Sequence, residues 1–243
     1  MSRRTLTRHA RRETLTSEQL TIAWQSASLL LDYPSEYLLD HVALVRSSSR
    51  ALPERLSEPL RRFADHVERT PLTDLQAEYV ETFDTRRRCN LFLTYFAHGD
   101  TRKRGMALLR FKQAYLAAGF AVTDDELPDH LCVVLEFAAT GDHAAGRQLM
   151  LDHRAGLELL RMSLRDLRSP WAGVVEAVTA TLPPLRGDEV DAVRRLAAEG
   201  PPEEEVGLTP YATPGFDPGP AVPDSPIPLP MPSFPAPSMR GAR

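Results

Sequence analysis

Two short blocks carry the densest chemistry in this chain: His98-Gly99-Asp100-Thr101-Arg102-Lys103-Arg104-Gly105 and Glu126-Leu127-Pro128-Asp129-His130. Histidines beside carboxylates form the ligand sets of zinc and iron hydrolases, and Asp142, His143 and His153 enlarge the supply. The spacing argues against that chemistry. No His-x-x-x-His or His-Glu-x-x-His pair sets two ligands on one helix face, and neither a Gly-x-Ser-x-Gly elbow nor a phosphate loop occurs. A metal-dependent hydrolase is thus the weaker reading. The same residues suit recognition. A carboxylate at a helix start is favoured by the helix dipole, and a histidine there is either a neutral hydrogen-bonding group or a cation. Gly99 and Gly105 bracket an interhelical loop that can act as a hinge or offer hydrogen bonds to a bound peptide. Simple capping at Asp129 and His130, and a solvated turn at 98–105, fit the residues equally well.

The elements that must position these blocks are helical. Thr16 and Gln19 read as a capping box ahead of Leu20, Ala23, Trp24, Ala27, Leu30 and Leu31, which recur at spacings of three and four. Ser35 and Pro53 open two further helices, and Thr73 with Gln76 reads as a second capping box ahead of Tyr79 and Phe83. An aromatic segment with Phe92, Tyr95 and Phe96 follows, then a turn at Gly99 and a helix from about Arg104 to Ala118. A helix starting at Pro128 or Asp129, a long one capped by Asp142, one after Ser169-Pro170 and a last one over 188–199 complete the series. No alternating strand pattern competes. About nine amphipathic helices joined by short breaks bury their stripes most economically in one all-α bundle over residues 16–199.

Composition sets the outer limits. The chain has 243 residues, 42% of them hydrophobic, and a formal net charge of −4, so nothing draws it as a whole to nucleic acid or an anionic surface. Arg86, Arg87 and Arg88 read as surface charge, with Asp84 beside them as an ion-pair partner. Two cysteines, Cys89 and Cys132, make neither a disulfide framework nor a zinc site. No apolar run is long enough for membrane insertion. Residues 1–15 carry Arg3, Arg4, Arg8, Arg11 and Arg12 with little to bury and are expected to be a disordered basic arm. Ser2 to Thr7 resemble the start of a twin-arginine export signal, but His9, Arg11, Arg12 and Glu13 stand where that signal needs an apolar core, so export is not expected. From residue 200 onward the chain holds 13 of its 21 prolines, and 200–243 is expected to be a disordered extended tail.

Several motifs in fixed order carry a resemblance: Leu29-Leu30-Leu31-Asp32-Tyr33-Pro34, Tyr79-Val80-Glu81-Thr82-Phe83-Asp84, Leu91-Phe92-Leu93-Thr94-Tyr95, and the two blocks at 98–105 and 126–131. Over roughly residues 16–180 the sequence resembles the NarJ assembly chaperones of respiratory nitrate reductase, within the wider TorD-like group of molybdoenzyme chaperones. The resemblance implies a TorD-like helical bundle and a cytoplasmic, system-specific chaperone with no catalytic residue and no metal or cofactor of its own. Its expected partner is the catalytic (alpha) subunit of nitrate reductase, bound through its N-terminal segment and kept competent for molybdenum cofactor insertion. Proteins that deliver that cofactor would be a second partner class; another molybdoenzyme with a twin-arginine leader is the alternative client. By residue, the resemblance implies peptide recognition by Glu126, Asp129 and His130, with acidic groups available to a leader arginine. Tyr79, Phe83, Phe92 and Tyr95 are candidates to line the groove, although core packing is the simpler reading for such aromatics. His98, Gly99, Asp100, Arg102, Arg104 and Gly105 are candidates for a hinge or recognition loop.

Overall fold

Thr16 closes the first helical turn as a true capping box: its hydroxyl accepts from the Gln19 N–H at 3.2 Å, and its own N–H donates to Gln19 Oε1 at 3.1 Å. That box opens α1 (Ser17–Leu31) in a computed structural model describing residues 14–99, 101–121 and 126–202. Ten more helices follow: α2 (Glu36–Ser48), α3 (Glu54–Arg69), α4 (Leu72–Tyr79), α5 (Tyr95–His98), α6 (Arg102–Ala117), α7 (Leu131–Thr140), α8 (His143–Asp152), α9 (Arg154–Asp166), α10 (Ala172–Thr181) and α11 (Gly187–Glu199). The described residues are therefore all-α, with no strand among them. Two helices exceed the expected nine. The aromatic segment folds into α5, and the long segment after Asp142 breaks at His153, whose backbone (φ −110°, ψ 23°) leaves the helical region between α8 and α9.

Helix α1 lies at the centre, packed on α7 and α10, while α3 crosses α10 and α2, and α9 lies between α10 and α11. Two tryptophans anchor this arrangement with no exposed surface. Trp24 donates to Thr181 Oγ1 at 3.0 Å, and Trp171 donates to the Leu30 carbonyl at 3.1 Å, so each satisfies its indole N–H while filling the core. Truncating either to alanine should cost about 3–5 kcal/mol. Helices α7 and α8 approach so closely that a Cβ on Gly146 would lie 2.4 Å from the Ala138 Cβ.

Local signals were overridden in three places. The Thr73–Gln76 box does not form: α4 begins at Leu72 after Pro71, and Gln76 donates instead to the Pro34 carbonyl at 2.9 Å. Helix α4 then widens into a π-helical turn over Val80–Asp84, a rare geometry that often marks functional segments. The ion pair expected at Asp84 runs from Arg86 to Glu81 at 3.2 Å. Of the two end segments, residues 1–13 and 203–243 lie outside the described residues. The described chain reaches Pro202, whose carbonyl accepts from Arg87 Nη2 at 2.9 Å.

Candidate functional site

The segment between the π-helical turn and α6 pairs with the approach to α7. Leu93 N–H donates to the Asp129 carbonyl at 3.0 Å and Leu131 N–H donates to the Leu91 carbonyl at 2.9 Å, an isolated antiparallel bridge centred on Phe92 and His130. This pairing holds His130 in extended backbone, directly after a turn through Pro128 and Asp129 that the His130 N–H closes by donating to the Leu127 carbonyl at 3.1 Å. It delays α7 to Leu131, with His130 as N-cap, rather than Pro128 or Asp129 as the local signal suggests.

Asp129 has no exposed surface. Its Oδ2 accepts from the Thr94 N–H at 3.1 Å and the Thr94 hydroxyl at 2.5 Å, and Arg104 Nη2 stands 3.7 Å away. Arg104 Nε also donates to Thr94 Oγ1 at 3.2 Å, and its guanidinium lies 5.1 Å from the centre of the Phe92 ring, close enough for cation–π attraction. Phe92 in turn meets the His130 ring edge-on at 5.0 Å, and Tyr115 donates to the Pro128 carbonyl at 2.6 Å. A buried carboxylate needs such partners, because an unpaired charge in this setting would neutralise itself or break the fold. Three motifs far apart in sequence thus meet at one polar junction: Phe92 and Thr94, Arg104, and Asp129 with His130. The carboxylate expected to pair with a client arginine faces inward, toward groups of its own chain.

The remaining candidates divide. Tyr79 and Phe83 are buried in an aromatic cluster around Trp171, with ring centres 4.7–5.8 Å apart, and Tyr79 donates to the Leu31 carbonyl at 3.2 Å. Tyr95 is buried, and its hydroxyl accepts from Arg87 Nε at 2.8 Å, so Arg87 is structural rather than plain surface charge. His98 ends α5 and its carbonyl accepts from Thr101 Oγ1 at 2.8 Å; Arg102 is exposed at the start of α6, and Gly105 has open space around it. Gly99 has φ +55°, and an added Cβ would lie 2.6 Å from the Pro202 carbonyl oxygen, so this glycine is the floor on which residues 200–202 rest. Asp100 lies outside the described residues. Glu126 is exposed at the rim of a cavity of about 300 Å³ walled by Tyr115, Phe120 and Phe137.

A second feature escaped the motif reading. Between α1 and α2 runs a groove of about 510 Å³ lined by Ile22, Leu29, Tyr37 and Leu44, with Asp32 and Glu136 contributing carboxylates. Tyr37 and Leu44 are each 63% exposed, and Tyr33, 47% exposed, stacks edge-on against Tyr79 at 5.4 Å. Asp32 links groove to junction. Burial pushes the His130 pKa down, and the negative charges of Asp32 and Asp129 only partly oppose that, so the imidazole is neutral at pH 7. The same Asp32 charge adds to the effect of burial in pushing the Cys132 thiol well above its ordinary value. The sequence carries little sign of it: Leu-Leu-Leu-Asp-Tyr-Pro reads as a helix end, and Tyr37 and Leu44 stand outside the buried stripe of Leu38, Val42 and Val45 on α2.

The nitrate reductase delta subunit family model matches residues 49–177. A curated Bacillus subtilis protein, "probable nitrate reductase molybdenum cofactor assembly chaperone NarJ", is 33% identical over 166 residues, which are 66% of this chain and 88% of that protein. The Escherichia coli nitrate reductase molybdenum cofactor assembly chaperone NarJ is 31% identical over 148 residues, covering 60% of this chain and 63% of that one. The nitrate reductase-like protein NarX of Mycobacterium tuberculosis is 42% identical over 164 residues, or 66% of this chain; the chain spans only 24% of NarX.

Proposed function

The chain belongs to the nitrate reductase delta subunit family, and from that premise we propose that it is an assembly chaperone for nitrate reductase that binds the N-terminal segment of the apo catalytic subunit. It holds that segment while the molybdenum cofactor is inserted, and leaves once the enzyme is assembled. Its work is binding, not turnover, and it acts in the cytoplasm. No helix among the described residues is long and apolar enough to cross a membrane.

The observation that carries the binding mode is the α1–α2 groove: an apolar floor with carboxylates at Asp32 and Glu136, open to solvent along exposed Tyr37 and Leu44. A short amphipathic segment with basic charge fits such a groove, apolar contact supplying affinity and the acids supplying selection. The junction at Asp129 backs this groove through Asp32 and His130, so its task in this reading is to fix the geometry of α7 and the 91–94 segment. Glu126 remains available at the surface as an acidic contact. Co-purification from cells tests the proposal: the apo catalytic subunit should be retained by the wild-type chain, and lost when the subunit's N-terminal segment is deleted or when Tyr37 and Leu44 are both replaced by alanine. Retention in both cases would sink it.

A further inference from the structure

The groove has a candidate occupant within the chain itself. Residues 1–13 run directly into Thr14 and the start of α1, the helix that forms one wall of the groove. Those thirteen residues carry Arg3, Arg4, Arg8, Arg11 and Arg12, against a single acid, Glu13, with Leu6 between the basic pairs. The groove is of opposite charge. Asp32 and Glu136 line it; Glu18 is exposed one turn before Thr21 and Ile22 on the same face of α1, and Asp40 is exposed on α2 between Tyr37 and Leu44. Among the described residues of the lining, the only ionisable group that can carry positive charge is His41, which stacks on Tyr37 with ring centres 4.0 Å apart. Length also suffices. Thirteen extended residues span roughly 43 Å, while the fifteen residues of α1 rise about 22 Å, so an arm doubling back from Thr14 reaches every part of the groove.

We infer that the N-terminal arm, residues 1–13, docks in the α1–α2 groove as an internal stand-in for the client and must be displaced before a client segment binds. The inference rests on reading that groove as the client site. The arm's Ser2-Arg3-Arg4-Thr5-Leu6-Thr7, which resembles the start of a twin-arginine signal without the apolar core, gives it the charge of such a leader and little of its apolar area. It is therefore a weak competitor: basic enough to be drawn in, too polar to hold against a segment that fills the apolar floor. A tethered weak ligand still competes well, because the tether supplies a high local concentration.

A labelled synthetic peptide of residues 1–13, followed by fluorescence anisotropy against full-length protein, tests the arm independently of any client. In the full-length R3E/R4E/R8E variant the groove is vacated by its own arm, and the free peptide should bind about fivefold or more tighter than to wild type. Adding D32N and E136Q to that variant should abolish the gain; both acids are exposed, and unchanged thermal unfolding would show that the fold is intact. Equal binding to wild type and R3E/R4E/R8E, no binding to either, or binding that survives D32N/E136Q would each overturn the inference. A client peptide run in the same assay separates the two readings: if it fails to bind while the arm peptide behaves as described, the proposed function fails and the docked arm stands.

Discussion

Replacing Asp129 by alanine separates a receptor role from a positioning role. The carboxylate is fully buried, accepts two hydrogen bonds from Thr94 and lies 3.7 Å from Arg104 Nη2. Its removal strands the Thr94 N–H and takes away the charge facing Arg104, whose side chain is only 15% exposed. Removing one partner of a buried charge pair costs about 3–5 kcal/mol. For a domain of this size each kcal/mol moves the melting temperature by about 2–4 °C, so D129A should lower it by roughly 6–20 °C. Asp129→Asn keeps an acceptor for Thr94 and loses only the charge, and should fall between wild type and alanine. Circular dichroism at the helical band during a thermal ramp reads both values directly. If D129A melts with wild type while client binding disappears, Asp129 is a contact residue and the positioning argument is wrong.

Tyr37→Ala with Leu44→Ala should leave the melting temperature within about 2 °C of wild type, since both side chains are largely exposed, yet weaken client-peptide binding by about tenfold or more. Gly99→Ala puts a Cβ against the Pro202 backbone at a positive φ and should cost about 1–2 kcal/mol; hydrogen exchange should quicken at the C-terminal end of α11, and unchanged protection there would contradict the contact. Burial holds the pKa of both His130 and His153 below the usual histidine value. The fold thus favours their neutral forms, so their contribution to stability is complete above about pH 6.5 and is lost as pH falls through their folded-state values. Melting temperature should fall on acidification below about pH 6.5, less steeply in His130→Asn; a slope unchanged by that substitution would remove His130 from the account. Burial pushes the Cys89 thiol up to about 11 and Cys132 well above its ordinary value, so both should resist a thiol reagent at neutral pH until the protein unfolds. Rapid labelling of the native protein would refute this.

The parts of the fold legible in the sequence are those fixed by short-range chemistry. Thr16 with Gln19, and Asp142 accepting from the N–H groups of Ala144 and Ala145, cap helices where spacing and residue type place them. What was not legible depends on partners distant in sequence. Gln76 leaves its local capping box for Pro34, and Asp129 and His130 are kept out of α7 by pairing with residues 91–93. The candidate site divides in the same way. Phe92, Arg104, Asp129 and His130 do converge, but Asp129 is turned inward; Tyr79 and Phe83 serve the Trp171 cluster instead. The α1–α2 groove was hidden because Tyr37 and Leu44 stand outside the apolar stripe of Leu38, Val42 and Val45 that marks the buried face of α2, and only the arrangement of α1, α2 and α7 gives them a groove to line.

Isothermal titration of the full-length protein with a synthetic peptide of the nitrate reductase catalytic subunit's N-terminus decides whether the α1–α2 groove is a client site. Saturable binding with a negative heat-capacity change is expected, as follows from apolar burial, with clear weakening in the Tyr37→Ala/Leu44→Ala and Asp32→Asn/Glu136→Gln variants. Absence of binding, or binding of undiminished affinity in both variants, would contradict it.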